Sequence, residues 1–210
     1  MRNYKKLTAG LISGWFIFAL VAAALNVFKN NVSGIGVVVA MASGVPIAAF
    51  GIWFSASKCF RSFALSLSPR VLSLAQLWRI LGLTFVLMAL GGTLPKVFGL
   101  TAGLGDMLIG VTAPLVALRL ATPNRRSAFI AWQLLGMADL VTAVGLGVTT
   151  SLFSSQSALM APMTVLPLSL VPTFIVPLLF MVHIVCIAQA RRWAAAGRAH
   201  ASAERILARV

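Results

Sequence analysis

The chain has 210 residues, of which 60% are hydrophobic and only 10% are charged. A soluble domain carries about 25% charged residues and about 45–50% apolar ones, so the apolar surface of this chain exceeds what a core of its size can bury. A lipid environment resolves the excess, and the whole length, 1–210, fits one polytopic membrane domain. The net charge of +14 would favour nucleic acid as a partner of a soluble protein. Here the basic residues form short clusters between long apolar runs, which excludes nucleic acid.

Six stretches have the roughly 20 largely apolar residues that a membrane-spanning helix needs. The sequence therefore predicts an all-α integral membrane protein, a bundle of six transmembrane helices. The first apolar run follows a basic N-terminus, as in a signal peptide, but it is long enough to span, and we expect it to be retained. The predicted helices are 7–28, 32–54, 71–94, 97–118, 128–149 and 163–190, and residues 191–210 form a basic tail.

Lys and Arg alternate between rich and poor segments along the chain. Three or more lie before the first helix, in the second and fourth connections and after the sixth helix, whereas the other connections carry one or none. By the positive-inside rule both termini are cytoplasmic, and we expect a multi-pass protein of the plasma (inner) membrane. Four tryptophans near the predicted cytoplasmic helix ends agree with an interfacial aromatic belt: Trp53, Trp78, Trp132 and Trp193.

The sixth predicted helix contains a proline at every fifth position, namely Pro162, Pro167, Pro172 and Pro177. An interior proline removes a backbone hydrogen bond and kinks the helix. A carbonyl freed at membrane depth must find another partner or line a cavity. The pattern predicts a bent helix that either packs against its neighbours or forms the wall of a gate or cavity.

Few residues are available to hold a metal or a prosthetic group. Cys59 and Cys186 both fall toward the predicted cytoplasmic side, where a disulfide is not expected. With His183 and His200 as the two histidines, a bis-histidine haem or a His-rich metal site is hard to build. The sequence predicts neither a cofactor nor a metal.

Four ionisable residues lie inside predicted membrane helices: Arg79, Asp106, Asp139 and His183. Exposing such a residue to lipid costs about 2.5–3.5 kcal/mol or more. At about 1.5 Å of rise per residue, each lies about 12 to 19 Å from a basic residue at the predicted cytoplasmic end of its helix. The sequence therefore predicts that all four share one layer, somewhat to the cytoplasmic side of the midplane.

The two aspartates have similar neighbours along the chain. Residues 103–111 and 136–144 share the pattern Gly-x-small-Asp-apolar-x-x-small-Val. Small residues beside each carboxylate leave room for water, a solute or a partner helix.

Two hypotheses account for the buried charges. In the first, they form a structural ion-pair network in which Arg79 neutralises one aspartate and His183 or Gln133 hydrogen-bonds the other. In the second, the protein binds or moves a small solute or cation. Asp106 and Asp139 then carry a proton or cation, Arg79 is a counter-ion, and His183 is a relay or a substrate contact, beside kinked, Gly-rich helices that suit alternating access.

The architecture resembles one known family of transport subunits. The length, the six predicted helices, the cytoplasmic ends and an Ala-x-x-x-Ala in the first helix, Ala19 with Ala23, are similar to the substrate-binding subunits of energy-coupling-factor vitamin transporters. The resemblance implies a protein that binds a small nutrient and works with ATPase partners. It is architectural, and no binding residue carries over from it.

A short motif supports a further hypothesis, an intramembrane enzyme. Residues 103–106, Gly-Leu-Gly-Asp, resemble the Gly-x-Gly-Asp signature of intramembrane aspartyl proteases such as prepilin peptidases and presenilins. The resemblance implies Asp106 and Asp139 as an acid and base pair around a water. In that family the Gly-x-Gly-Asp aspartate comes second in the chain, whereas here it comes first, and no Pro-Ala-Leu motif follows Asp139. These departures favour a protein that is not an enzyme.

A non-catalytic accessory membrane subunit is the remaining alternative, with the buried charges paired to partner helices. The lipid bilayer is the one partner that the composition requires. A homo-oligomer and a partner membrane subunit both stay open, and the solute or cation is not identified by the sequence.

Overall fold

The computed structural model describes residues 2–28 and 35–207, and this part of the chain forms helices and turns with no strand. In these ranges five helices are long and apolar enough to cross a membrane, and Ala40–Ala56 with Lys58–Leu65, bent by 105°, adds a sixth if the pair counts as one span. The predicted all-helical class is therefore confirmed, with five or six helices of spanning length. Lys29 in the first connection and the side chains of the predicted basic tail beyond Trp193 lie outside the described part.

In the described part of the chain seven helices make up the bundle, and several of them change their helical type along their length. Helix α4 (Pro69–Leu90) has a 3-10 segment, Ala75–Gly82, at its middle, and α5 (Lys96–Leu120) ends in a π-helical segment, Val116–Leu120. A short 3-10 helix, Ser157–Thr164, precedes the last long helix. The helices are α1 (Arg2–Ala24), α2 (Ile35–Ala56), α3 (Lys58–Leu65), α4 (Pro69–Leu90), α5 (Lys96–Leu120), α6 (Pro123–Phe153) and α7, which begins as the π-helical segment Val171–Ile175 and continues as the α-helix Val176–Leu207.

Aromatic rings hold the sharp corner between α2 and α3. The Trp53 and Phe60 rings stack with their centroids 3.8 Å apart and their planes within 1°. Tyr4 of α1 stacks on Phe63 of α3 at 6.0 Å. The Ser57 side chain caps α3 by accepting a hydrogen bond of 3.2 Å from the Phe60 backbone N–H. The corner therefore places α3 along the end of the bundle, where it packs against α1 and α2.

Helices α4 and α5 approach closely because glycines line their interface. A Cβ atom at Gly103 would lie 2.6 Å from the Gly82 carbonyl oxygen and 2.7 Å from a Val86 methyl carbon. A Cβ atom at Gly110 would lie 2.5 Å from the Ile80 backbone nitrogen. Small residues allow helix backbones to pack at this separation in an apolar environment. The same contact brings Asp106, between these two glycines on α5, directly beside α4.

The prolines delay the start of the last helix. The sequence predicted a helix over 163–190, whereas the helix begins at Val171, after the 3-10 segment. Pro177 has no N–H to donate, and the carbonyl of Pro172 instead accepts a hydrogen bond of 2.6 Å from the buried Ser43 hydroxyl of α2. A side chain from a neighbouring helix thus satisfies a carbonyl in the proline-rich stretch, as an apolar setting requires.

The glycine interface predicts a position-dependent cost of adding one methyl group. Gly103→Ala should lower the free energy of unfolding by about 1–3 kcal/mol, because the new Cβ would overlap the backbone of α4. Gly145→Ala is the matched control, since a Cβ there has nothing within 4 Å, and helix propensity alone then favours the alanine. Thermal unfolding in detergent measures both variants, and equal stability of the two would contradict the packing argument.

Candidate functional site

Arg79 reaches the centre of the bundle because of the 3-10 segment of α4. In a 3-10 helix, residues three apart lie on the same face. Gln76, Arg79 and Gly82 follow this spacing and are all buried, as is Ser73 one turn earlier. An α-helix would rotate these positions progressively around its axis, so the 3-10 geometry keeps one polar stripe aimed inward.

The Arg79 guanidinium bonds to both aspartates of the predicted membrane helices. Its Nε donates a hydrogen bond of 2.7 Å to Asp106 Oδ1 on α5, and its Nη2 donates to Asp139 Oδ2 on α6. Its Nη1 donates to the Gly136 carbonyl at 3.2 Å. The Arg79 side chain is 2% exposed, whereas those of Asp106 and Asp139 are 15% and 13% exposed. The cation is therefore enclosed, and the carboxylates form the accessible side of the cluster.

His183 and Gln133 bond to each other rather than to an aspartate. His183 Nε2 lies 3.4 Å from Arg79 Nη1, and His183 Nδ1 contacts Gln133 Oε1. Because Arg79 can only donate, this pattern fits a neutral imidazole with its proton on Nδ1. Gln133 Nε2 then donates to the Ser73 hydroxyl at 3.4 Å. The expectation that His183 or Gln133 would hydrogen-bond one carboxylate is wrong, since the single guanidinium reaches both carboxylates.

Trp132 belongs to this cluster and not to the aromatic belt at the helix ends. Its side chain is buried, and its ring meets the His183 ring edge-on with centroids 6.0 Å apart. Its Nε1–H donates a hydrogen bond of 2.8 Å to the Thr112 hydroxyl of α5. The belt prediction is wrong for this residue, because the indole N–H finds its polar partner inside the bundle.

The small residues beside the aspartates accommodate the cluster itself. A Cβ atom at Gly136 would lie 2.5 Å from His183 Cε1, and one at Gly105 would overlap the Asp139 carboxylate. The shared Gly-x-small-Asp pattern therefore provides space that the neighbouring polar side chains fill. Gly105 and Gly136 are thus needed for α5, α6 and α7 to pack closely around the cluster.

Asp106 also lines a cavity between α5, α6 and α7. The cavity volume is about 50 Å³, enough for one or two water molecules or one small cation. Its wall on α6 runs from Leu140 to Ser151, a rise of about 16 Å at 1.5 Å per residue. The rest of the wall is mostly apolar, with the hydroxyls of Ser151 and Thr164 toward the predicted outer end. Asp106 is the ionisable group of this lining.

The structure brings together the five residues singled out from the sequence: Arg79, Asp106, Asp139, His183 and Gln133. Two carboxylates and one guanidinium give the ionised cluster one negative charge in excess. No group of three or more metal-ligating side chains occurs in the part of the chain that the structure describes. The arrangement can accept one further positive charge, a proton or a small cation, at the carboxylates.

Sequence reasoning overlooked Ser73 and Gln76. Both are fully buried; Ser73 accepts from Gln133, and Gln76 Nε2 donates to the Leu179 carbonyl of α7 at 3.4 Å. The sequence does carry a signal for these two buried residues, because polar residues stand at every third position ahead of Arg79. The usual α-helical pattern alternates steps of three and four residues, so a search for it does not identify polar residues that are all three apart.

Residues 33–191 match the family described as a domain of unknown function (DUF8737), and the chain belongs to this family. The matched range contains every residue of the cluster and leaves α1 outside. No curated protein and no solved structure gives a significant match.

Loss of the central cation should be severe. Arg79→Gln leaves Asp106 and Asp139 without their guanidinium, and breaking a buried ion pair costs about 3–5 kcal/mol. We expect a large fall in melting temperature in detergent, whereas Arg119→Gln, the same change at an exposed position, should alter stability by less than about 0.5 kcal/mol. Adding Asp139→Asn to Arg79→Gln should recover part of the loss. A double variant no more stable than Arg79→Gln would contradict the charge-pairing account.

Proposed function

We propose that this member of the DUF8737 family is a small multi-pass membrane protein that binds or moves a small solute or cation, linked to protons through Asp106 and Asp139. The observation that carries the proposal is that Asp106 contacts both the enclosed Arg79 and the cavity. A carboxylate sealed on every side only holds helices together. One that faces a cavity can also exchange a proton or cation with what enters it.

The charge balance supports a cationic cargo. Arg79 neutralises one of the two carboxylates that it contacts. The second negative charge, in an apolar surrounding, is best compensated by a proton or by a bound cation. The cavity of about 50 Å³ favours an occupant no larger than a few heavy atoms.

Irregular helical segments border the same region. Arg79 lies in the 3-10 segment of α4, and the cavity wall includes Val171 and Pro172 of the π-helical segment that opens α7. Mid-helix 3-10 stretches often mark hinges, and π-helical turns are frequent at functional sites. These segments supply elements that can rearrange around the charges, as alternating access requires.

The geometry favours this function over an aspartyl enzyme. An acid and base pair of carboxylates shares a water and a proton. Here the Arg79 guanidinium bonds to both Asp106 and Asp139, which holds the two groups as ion-pair partners of one cation. The Gly-Leu-Gly-Asp motif instead provides the space that Asp139 fills beside Gly105.

We further propose an orientation of the protein in the membrane. The alternation of Lys and Arg along the sequence supports cytoplasmic N- and C-termini in the plasma (inner) membrane. The cavity then opens from Asp106 toward the outer side, where the Ser151 and Thr164 hydroxyls lie.

Carboxamide substitutions test the proposed transport role. Purified protein in liposomes is examined on a solid-supported membrane, and the displaced charge is recorded after steps in pH, Na⁺ or methylammonium. We expect the wild type to give a transient current for at least one of these steps. Asp106→Asn and Asp139→Asn should each reduce that current about tenfold or more, since neither amide can carry the charge.

Glu204→Gln is the control, because it is the same chemical change at the acidic residue outside the apolar runs, and it should keep the wild-type current. Folding of each variant is checked by its melting temperature. A wild type without current in any step, or folded carboxamide variants with full current, would overturn the transport role and leave the charges as structural pairs.

Native cysteines offer a test of the orientation. Cys59 on α3 is exposed and Cys186 on α7 is buried. In a Cys186→Ser protein, a membrane-impermeant maleimide should label Cys59 in inside-out vesicles at least about fivefold more than in right-side-out vesicles. A cysteine-free protein carrying Ser155→Cys, an exposed position after α6, should show the opposite preference. Labelling of Cys59 from the outer side would reverse the proposed orientation.

A further inference from the structure

A second cavity, of about 650 Å³, lies between α3, α6 and α7 at the end of the bundle where the predicted cytoplasmic loops meet. Three arginines surround it: Arg61 of α3, and Arg191 and Arg192 of α7. Its opposite wall is apolar and includes Leu134, which is 52% exposed, with Met137 and Ile184. We call this feature the arginine groove.

Packing holds together the two helix segments that carry the three arginines. Gln189 of α7 is buried, and its Nε2 donates hydrogen bonds to the backbone carbonyls of Leu67 at 2.7 Å and Leu65 at 3.4 Å. These bonds hold the end of α3 against α7. Arg61, one turn before Leu65, therefore stays on the same side as Arg191 and Arg192.

No acidic side chain neutralises the arginine groove within the described residues. Both salt bridges of this part of the chain belong to Arg79, which engages Asp106 and Asp139 in the centre of the bundle. No acidic residue lines the groove either. The groove thus holds three positive charges with no carboxylate to compensate them, and an anionic occupant is the natural complement.

The chemistry of the two walls selects the occupant. Guanidinium groups bind phosphate oxygens through paired hydrogen bonds. The wall of Leu134, Met137 and Ile184 continues toward the apolar surface of the spans, where a hydrocarbon chain can pack. Basic pockets between spanning helices, next to the anionic cytoplasmic leaflet, suit phospholipid head groups. We infer that the arginine groove binds one anionic phospholipid, with its phosphodiester among the three arginines and its acyl chains along the apolar wall.

The test uses the purified full-length protein in dodecyl maltoside, titrated with phosphatidylglycerol, phosphatidylcholine or glycerol 3-phosphate. We expect phosphatidylglycerol to raise the melting temperature in a saturable manner, and native mass spectrometry to show a retained lipid. Phosphatidylcholine and glycerol 3-phosphate should each act at least about tenfold more weakly, since one lacks net charge and the other lacks chains.

Two matched triple variants locate the effect. Arg61→Gln with Arg191→Gln and Arg192→Gln should weaken the response to phosphatidylglycerol roughly 100-fold, given about 1 kcal/mol for each basic residue near an anionic lipid. The control removes the same charge at exposed arginines outside the groove, with Arg119→Gln, Arg125→Gln and Arg126→Gln, and should respond like the wild type.

Three results would overturn the inference. They are equal stabilisation by phosphatidylcholine, equal stabilisation by glycerol 3-phosphate, and an unchanged response of the groove variant. The melting temperature of each variant without added lipid establishes that it is folded. Should the groove variant fail to fold, Arg61→Gln alone replaces it, with Arg119→Gln as its control, and an undiminished lipid response would again reject the site.

Discussion

One guanidinium bound to two carboxylates organises the centre of this helix bundle. Arg79, Asp106 and Asp139 come from α4, α5 and α6, and separating any of them in an apolar environment leaves a charge without compensation. That penalty amounts to several kcal/mol, a large share of the stability of an ordinary domain. The three helices must therefore keep their rotation and register. The glycines between them are needed for the same reason, since they let the helices pack closely enough for these charges to meet.

The irregular parts of the helices serve this arrangement. The 3-10 segment of α4 aligns Gln76, Arg79 and Gly82 on one face, and Gly136 leaves room for His183 against the guanidinium. Outside the cluster, a backbone carbonyl also finds its hydrogen-bond donor on another helix, because the Ser43 hydroxyl donates to the Pro172 carbonyl. These hydrogen bonds join groups on different helices and so tie distant parts of the chain together.

The central arginine and the arginines of the groove lie in different environments. Arg79 is enclosed and paired with both aspartates, whereas the arginines of the groove, Arg61, Arg191 and Arg192, have no acidic partner within the described residues. The paired cation leaves a small centre with one negative charge in excess, which a single added positive charge can compensate. The three cations of the groove instead give a lasting positive potential at one end of the bundle. The first environment suits a proton or small cation, and the second suits a phosphate group.

The sequence alone determined the helical class, the approximate positions of the long apolar helices and five residues of the central cluster. Long apolar runs and rare charges carry that information, because each ionisable residue among apolar ones must find a partner. Arg79, Asp106, Asp139 and His183 could be named in advance on this ground, and Gln133 could be named as a hydrogen-bond partner for them. The orientation in the membrane remains a prediction from the charge alternation.

Only the tertiary structure decided which polar groups pair. Arg79 serves both carboxylates, His183 pairs with Gln133, and Trp132 turns inward to Thr112. The late start of α7 and the cavity at Asp106 likewise depend on how neighbouring helices pack. The physical reason is that pairing follows from the rotation of each helix and the rotamer of each side chain. Both are set by contacts between residues far apart in the sequence, which local composition and spacing do not encode.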